Sequence, residues 1–136
     1  MEEIAKYLES FGISPTPVRM LVYDCLKKRN KPMSLSDLEV ELESVDKSTI
    51  SRTLATFRGH HLVHTFSDGS GKMKYELCLS PEKDKEEDTH VHFRCEKCGE
   101  TFCMTTISIP EVQLPAGFVM HECNYIITGI CPDCRR

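Results

Sequence analysis

Tryptophan is absent from this chain, and the other large aromatics stop at six phenylalanines and four tyrosines. Any core must therefore be mostly aliphatic. No apolar run approaches the length of roughly 18 residues that marks a membrane-spanning helix. Met1 to Ser10 alternates charged with apolar residues, where an export signal would run uninterrupted. These two absences make the cytoplasm the expected location and exclude a membrane partner. Catalytic arrangements are missing too. There is no nucleophile–base pair, no set of paired carboxylates and no phosphate-binding glycine loop, so an enzyme is not expected. A length of 136 residues allows one domain or two small ones with thin cores.

What is plentiful is cysteine. Eight in so short a chain indicate either a disulfide scaffold or metal binding. Without an export signal, thiols held reduced or bound to metal are the better reading. The net charge of −4 argues against a nucleic-acid partner at first sight, but it is unevenly spread. Lys47 to Phe66 contains Lys47, Arg52 and Arg58 and no acidic residue. A basic element on an acidic whole remains compatible with DNA binding.

Ile4, Tyr7 and Leu8 give Glu2 to Ser10 a helical stripe, which Gly12 and Ser14-Pro15 end. Thr16 and Pro17 have the chemistry of a cap and a first turn for a second helix. Its stripe is Val18, Leu21, Val22, Cys25 and Leu26, and Lys27, Lys28 and Arg29 suit its C-terminal end. Asn30 to Met33 reads as a turn. Ser34 or Ser36 opens a third helix carrying Leu38 and Leu42. Asp46 caps a fourth, with Ile50, Leu54 and Phe57 inward. Two extended runs then flank Asp68-Gly69-Ser70-Gly71, a strong hairpin signal. Helices followed by a hairpin describe a winged helix-turn-helix over residues 1–80.

The segment Pro81 to Asp88 holds no apolar residue, so residues 81–89 read as hinge. Residues 90–136 form a small, mostly β second domain, with extended runs at Val91 to Phe93, Thr101 to Ile109 and Tyr125 to Ile130. The whole is an α+β chain. So small a second domain needs a metal clamp, a partner surface, or both.

That clamp is visible. Cys95, Cys98, Cys131 and Cys134 form two Cys-x-x-Cys pairs separated by 32 residues. Each pair lets a tight turn aim two sulfurs at one ion, and two turns complete a tetrahedron. Four thiolates leave no open position, so the expectation is structural zinc. An iron–sulfur cluster or rubredoxin-like iron is the alternative chemistry. In the fourth helix Lys47, Ser48, Thr49, Ser51, Arg52, Thr56 and Arg58 are available to the edges of bases or to phosphate, and Lys72 and Lys74 on the hairpin to phosphate.

In order along the chain, several motifs resemble the ferric uptake regulator (Fur) family. They are Thr16-Pro17-Val18-Arg19, Ser48-Thr49-Ile50-Ser51-Arg52-Thr53-Leu54, Tyr75-Glu76-Leu77, His90-Val91-His92-Phe93-Arg94-Cys95-Glu96-Lys97-Cys98-Gly99 and Gly129-Ile130-Cys131-Pro132-Asp133-Cys134. The resemblance implies a metal-dependent transcriptional repressor, a homodimer on a palindromic operator in double-stranded DNA. It implies that residues 90–136 are an α/β dimerisation domain holding the structural zinc. Ser51 departs from the pattern, standing where members often carry a tyrosine that touches DNA.

The resemblance also implies a regulatory metal near the hinge, bound by His90 and His92. Iron sensors add the glutamate at the wing's end, here Glu76, and a histidine before the third helix, where this chain has Pro32 or Met33. Zinc sensors add a wing residue and a cysteine beyond it, here His64 and Cys78. The implied set is thus His64, Cys78, His90 and His92, with Glu76 as a further or replacement ligand, and zinc is expected over iron or manganese. A third site found in some members would fall on Thr89, Val91, Glu111 and Cys123, with His121 close by. Two ligand types are lost there, so it is expected to be empty or weak, the alternative being an unusual set made of Cys103, Cys123 and His121. The competing readings are an iron-, manganese- or peroxide-responsive regulator of the same family, and a zinc-stabilised protein-interaction module that never meets DNA.

Overall fold

The computed structural model describes residues 1–78, 91–104, 106–121 and 123–135. The expected hinge at 81–89 and the expected ligand His90 lie outside the described residues.

The first helix, α1 (Glu2–Ser10), buries Leu8. Helix α2 (Pro17–Arg29) starts as its sequence requires, with the Thr16 hydroxyl accepting from the Arg19 amide at 3.2 Å and proline in the first turn. The α2 stripe holds at Val22 and Leu26, but Leu21 is exposed. Tyr23, predicted by no stripe position, is buried in its place and packs on Tyr7 at 5.4 Å between ring centroids. A short strand, β1 (Met33–Ser34), occupies what the sequence suggested was only a turn. It pairs with the hairpin, Met33 opposite Tyr75. Helix α3 (Leu35–Glu41) follows under a reciprocal cap between Ser34 and Asp37.

Helix α4 (Lys47–Gly59) is capped by Asp46 and buries Ile50, Thr53, Leu54 and Phe57. Ile50, Leu54 and Phe57 are all 0 % exposed and join Leu8, Val22 and Leu38 in one aliphatic core. The wing is β2 (Val63–Ser67) and β3 (Met73–Leu77), in a sheet ordered β1-β3-β2.

The second sheet is ordered β5-β4-β6, from β4 (Val91–Cys95), β5 (Thr101–Met104) and β6 (Tyr125–Gly129). Strand β4 is central, antiparallel to β5 and parallel to β6. The strand expected over Thr101 to Ile109 stops at Met104, and residues 106–121 are irregular. The helix that an α/β dimerisation domain would carry near Glu111 is not formed among the described residues. Pro110, Pro115 and Gly117 account for this, since proline lacks the amide a helix needs and Gly117 adopts a φ of +93°. The second domain is β-rich.

Its apolar interior is meagre. Val91 is buried with the sulfurs of Cys95 and Cys131, whereas Leu114, Phe118, Val119, Met120, Ile127 and Ile130 are exposed. No helix among the described residues is long and apolar enough to cross a membrane.

Candidate metal centre

Two groups of metal-capable side chains converge among the described residues, one at the end of the second sheet and one between the two sheets. The first is Cys95, Cys98, Cys131 and Cys134, whose sulfurs all lie within 4.8 Å of one another. Strand pairing builds it. Cys95 ends β4 level with Gly129 at the end of β6, so the knuckle after each strand lies beside the other. Gly129 is tightly placed, since a Cβ there would sit 3.1 Å from the Phe93 ring. Gly99 takes a φ of +77° to close the first knuckle, a conformation that favours glycine.

The amides of Cys98 and Cys131 each reach the Cys95 sulfur at 3.4 Å and pull its thiol down to about 6. Hydrogen bonding to Cys131 pushes the Cys134 thiol up to about 12. Thiols this close cannot all ionise alone, and a dication removes the conflict. Tetrahedral zinc with bonds of about 2.3 Å separates its sulfurs by about 3.8 Å. Cys98 and Cys131 stand 3.9 Å apart, so this donor set fits one tetrahedral ion.

The second group is His64, Glu76 and His92. His64 on β2 lies directly opposite Glu76 on β3, and its Nε2 is 2.9 Å from Glu76 Oε1. His92 arrives from β4 of the other domain, with its Nε2 3.3 Å from the same oxygen. The His92 ring stacks on Phe66, two residues along β2 from His64, at 3.8 Å between centroids and 13° between planes. A buried carboxylate therefore stands between two imidazoles from different sheets, with Glu76 9 % and His92 3 % exposed. Zinc–nitrogen and zinc–oxygen bonds of about 2.0–2.2 Å require ligand separations of roughly 3.3–3.6 Å. At 2.9 and 3.3 Å from Glu76 Oε1, the two ring nitrogens lie at or just inside these separations from the carboxylate.

Two cysteines flank this group. Cys78 Sγ is 3.6 Å from Nδ1 of His64, the nitrogen remote from Glu76. Glu76, expected as a further or replacement ligand, stands against both imidazoles, while Cys78 lies at the outer edge of the His64 ring. Cys103, opposite His92 on β5, lies within the electrostatic reach of the Glu76 carboxylate. Burial, reinforced by that carboxylate, pushes its thiol up to about 12. The sequence placed Cys103 only with Cys123 and His121, in an alternative metal set, and the β4–β5 register brings it here instead. A cavity of about 430 Å³, lined in part by Tyr7, Tyr23, Lys31, Glu76, Cys78 and Cys103, opens beside the group. Glu111, His121 and Cys123 belong to neither convergent group.

On α4, Lys47, Ser48, Ser51, Arg52 and Arg58 are exposed, while Thr49 and Thr56 are half-buried. Ser48 and Thr49 donate their hydroxyl protons to the Asp46 carboxylate, and these bonds hold it at about 2. Arg52 in turn donates to the Thr49 hydroxyl at 3.3 Å. Lys72 is exposed and reaches Ser36 at 3.1 Å. Lys74 corrects the expectation placed on it. It is 5 % exposed and its Nζ lies 3.5 Å from Asp68, turned into the protein rather than toward phosphate. Lys74 falls within the β3 pairing, so its face is set by the sheet, whereas Lys72 precedes the strand.

The sequence model of the Ferric uptake regulator family matches residues 10–125. The ferric uptake regulation protein of Bordetella parapertussis is 25% identical over 138 residues, spanning 95% of this chain and 94% of its own. A zinc uptake regulator solved with zinc and DNA superposes with a TM-score of 0.63 at 19% identity, covering 98% of this chain and 93% of that one. The Vibrio cholerae ferric uptake regulator gives 0.62 at 20% identity, over 93% and 98%. At such identities the superpositions speak for the fold.

Proposed function

The chain belongs to the ferric uptake regulator family of metal-dependent, non-catalytic transcriptional regulators, and we propose that it is a zinc-responsive repressor acting as a homodimer on palindromic duplex DNA. The observation that supports this reading is the meeting of His64 and Glu76, from the wing, with His92 from across the hinge. Bound there, a divalent ion would supply one positive centre shared by ligands of both domains. His64, Glu76 and His92 are the proposed ligands, with His90 joining them. Cys78 orients the His64 ring, a role in which outer partners commonly alter metal affinity 10- to 100-fold.

By holding these ligands together, the chain fixes α4 of each subunit relative to the domain that pairs the two. Two recognition helices then face the DNA at a set spacing, as operator half-sites require. Arg52, Arg58, Lys47 and Lys72 supply the positive charge toward phosphate. The exposed Leu114, Phe118, Val119 and Ile127 offer the apolar surface for a second copy.

Zinc is favoured because thiols of Cys78 and Cys103 border a set of imidazole and carboxylate, a mixture zinc accepts. One observation favours a second reading, an iron or manganese sensor. The carboxylate of Glu76, not a thiolate, stands between the imidazoles, and two histidines with a carboxylate also suit iron(II). Metal counting before and after mild chelation, with operator binding measured in both states, tests the proposal. Two ions per subunit are expected, one of them readily removed, and DNA binding should vanish with it and return with zinc at lower free concentration than with iron or manganese. DNA binding indifferent to the second ion would defeat metal sensing, and preferential restoration by iron would select the second reading.

A further inference from the structure

The tip of the wing is tied to the second domain by a cluster that the metal centre does not include. Asp68, at the first position of the turn between β2 and β3, is 0 % exposed. Its Oδ1 accepts from the Ser70 amide at 3.0 Å, which shapes the turn. Its Oδ2 accepts from the Thr101 hydroxyl at 2.5 Å, and Lys74 lies 3.5 Å from the same oxygen. Thr101 is on β5 and itself 1 % exposed. Two main-chain carbonyls of the tip are also used. Arg94 of β4 donates through Nε to the Asp68 carbonyl at 3.0 Å, and Asn124 donates to the Ser67 carbonyl at 2.8 Å.

We propose that Asp68 is a positioning residue for the bridging metal centre, latching the wing onto β4 and β5 through Thr101 so that His92 is already aligned with His64 and Glu76 before an ion arrives. The placement of the partners carries this. Thr101 is two residues from Cys103 on β5, and Arg94 is two residues from His92 on β4, so each partner shares a strand face with a group at the centre. On the wing, Ser67 ends the strand that carries His64 and Phe66, and Asp68 directly follows it. The latch thus grips the same three strands that carry His64, His92 and Cys103. A site assembled from two domains binds with an affinity reduced by the fraction of time the domains are correctly apposed. The latch raises that fraction. It also commits the tip of the wing to protein, leaving Lys72 as the hairpin's cation toward DNA.

This inference rests on the bridging-site reading, and its test separates the two. Thr101→Val removes the donor from the second domain without altering the wing turn. Asp68→Asn keeps an acceptor for Ser70 but discards the charge. In full-length protein with the tetrathiolate ion in place, zinc affinity at the second site is measured by chelator competition, and hydrogen exchange is followed at residues 66–68 and 101–104 with that site empty. Thr101→Val should weaken zinc binding on the order of tenfold and speed exchange at both segments. Operator affinity at saturating zinc should stay at the wild-type value, because the latch acts only through alignment. Zinc affinity within twofold of wild type, or unchanged exchange, overturns the proposal. Both readouts stand even if zinc proves not to control DNA binding, an outcome that would defeat only the functional reading. Should Asp68→Asn fail to fold, Thr101→Val alone still decides the matter.

Discussion

Replacing Glu76 with glutamine keeps the shape of the side chain and removes its charge, which makes it the sharpest probe of the centre between the domains. Glu76 bonds His64 at 2.9 Å and His92 at 3.3 Å while only 9 % exposed. Glutamine can still accept from one ring and fill the same space, so the metal-poor protein should lose no more than about 1 kcal/mol, the net value of one hydrogen bond. The metal-loaded state loses an anionic ligand. Outer partners of metal ligands are already worth 10- to 100-fold in affinity, so a direct ligand should cost at least about 100-fold, near 2.8 kcal/mol. The assay is operator binding titrated against buffered free zinc, with zinc counted per subunit. The titration midpoint should rise by about two decades while the tetrathiolate ion remains. Cys78→Ser gives the contrast, because its sulfur meets the far nitrogen of His64 and should cost about tenfold. A glutamine variant that responds at the wild-type zinc concentration, beside a Cys78→Ser variant that does not respond, would reverse the ligand assignment.

Cys98→Ser should remove the structural ion and unfold the second domain, read as loss of one zinc per subunit and of exchange protection across β4 to β6. Leu54→Ala, at a fully buried position of the recognition helix, should lower stability by about 2–5 kcal/mol in denaturant unfolding. Arg52→Ala should weaken DNA binding and reduce the slope of its salt dependence by about one, and a variant with unchanged slope would indicate that α4 does not meet phosphate through this residue. Burial would raise the Asp68 carboxyl, but bonds from Ser70 and Thr101 and the charge of Lys74 prevail and hold it at about 2. A depressed carboxyl stabilises the fold above its unfolded value of 3.8, and that contribution disappears as pH falls through about 2. Its size is at most about 2.5 kcal/mol. The acid-unfolding curve of Asp68→Asn should lack this component, and a curve parallel to wild type would contradict the assigned cause.

The first domain was largely legible because its signals are local. Thr16-Pro17 and Asp46 are cap chemistries that need no tertiary information, and each caps the helix expected of it, while of Ser34 and Ser36 it is Ser34 that caps the third. Ile50, Leu54 and Phe57 follow from helical spacing alone. Strand β1 escaped because two residues carry no periodicity, and it exists only by pairing with β3. Lys74 misled for a related reason, since its exposure depends on Asp68, which is buried by residues of another domain. The tetrathiolate was readable from spacing. The centre between the domains was half readable, as His64, Glu76 and His92 were named among its candidates. What no local pattern could supply was that Glu76 rather than Cys78 stands between the rings, or that the β4–β5 register sets Cys103 beside them.

The parallel pairing of β4 with β6 has a consequence for the order in which the molecule is made. The middle strand of the second sheet is synthesised before its parallel neighbour, with β5 and an irregular stretch in between. Bringing Cys131 back to Cys98 closes a loop across 32 intervening residues, an entropic toll of about 3–4 kcal/mol by analogy with a disulfide of that span. A nascent chain on the ribosome can complete its winged module and wait, but the domain that would join two subunits stays open until β6 emerges and an ion is captured. Capture of an ion by all four sulfurs would offset that cost and would make closing the second sheet the late, metal-dependent step of assembly.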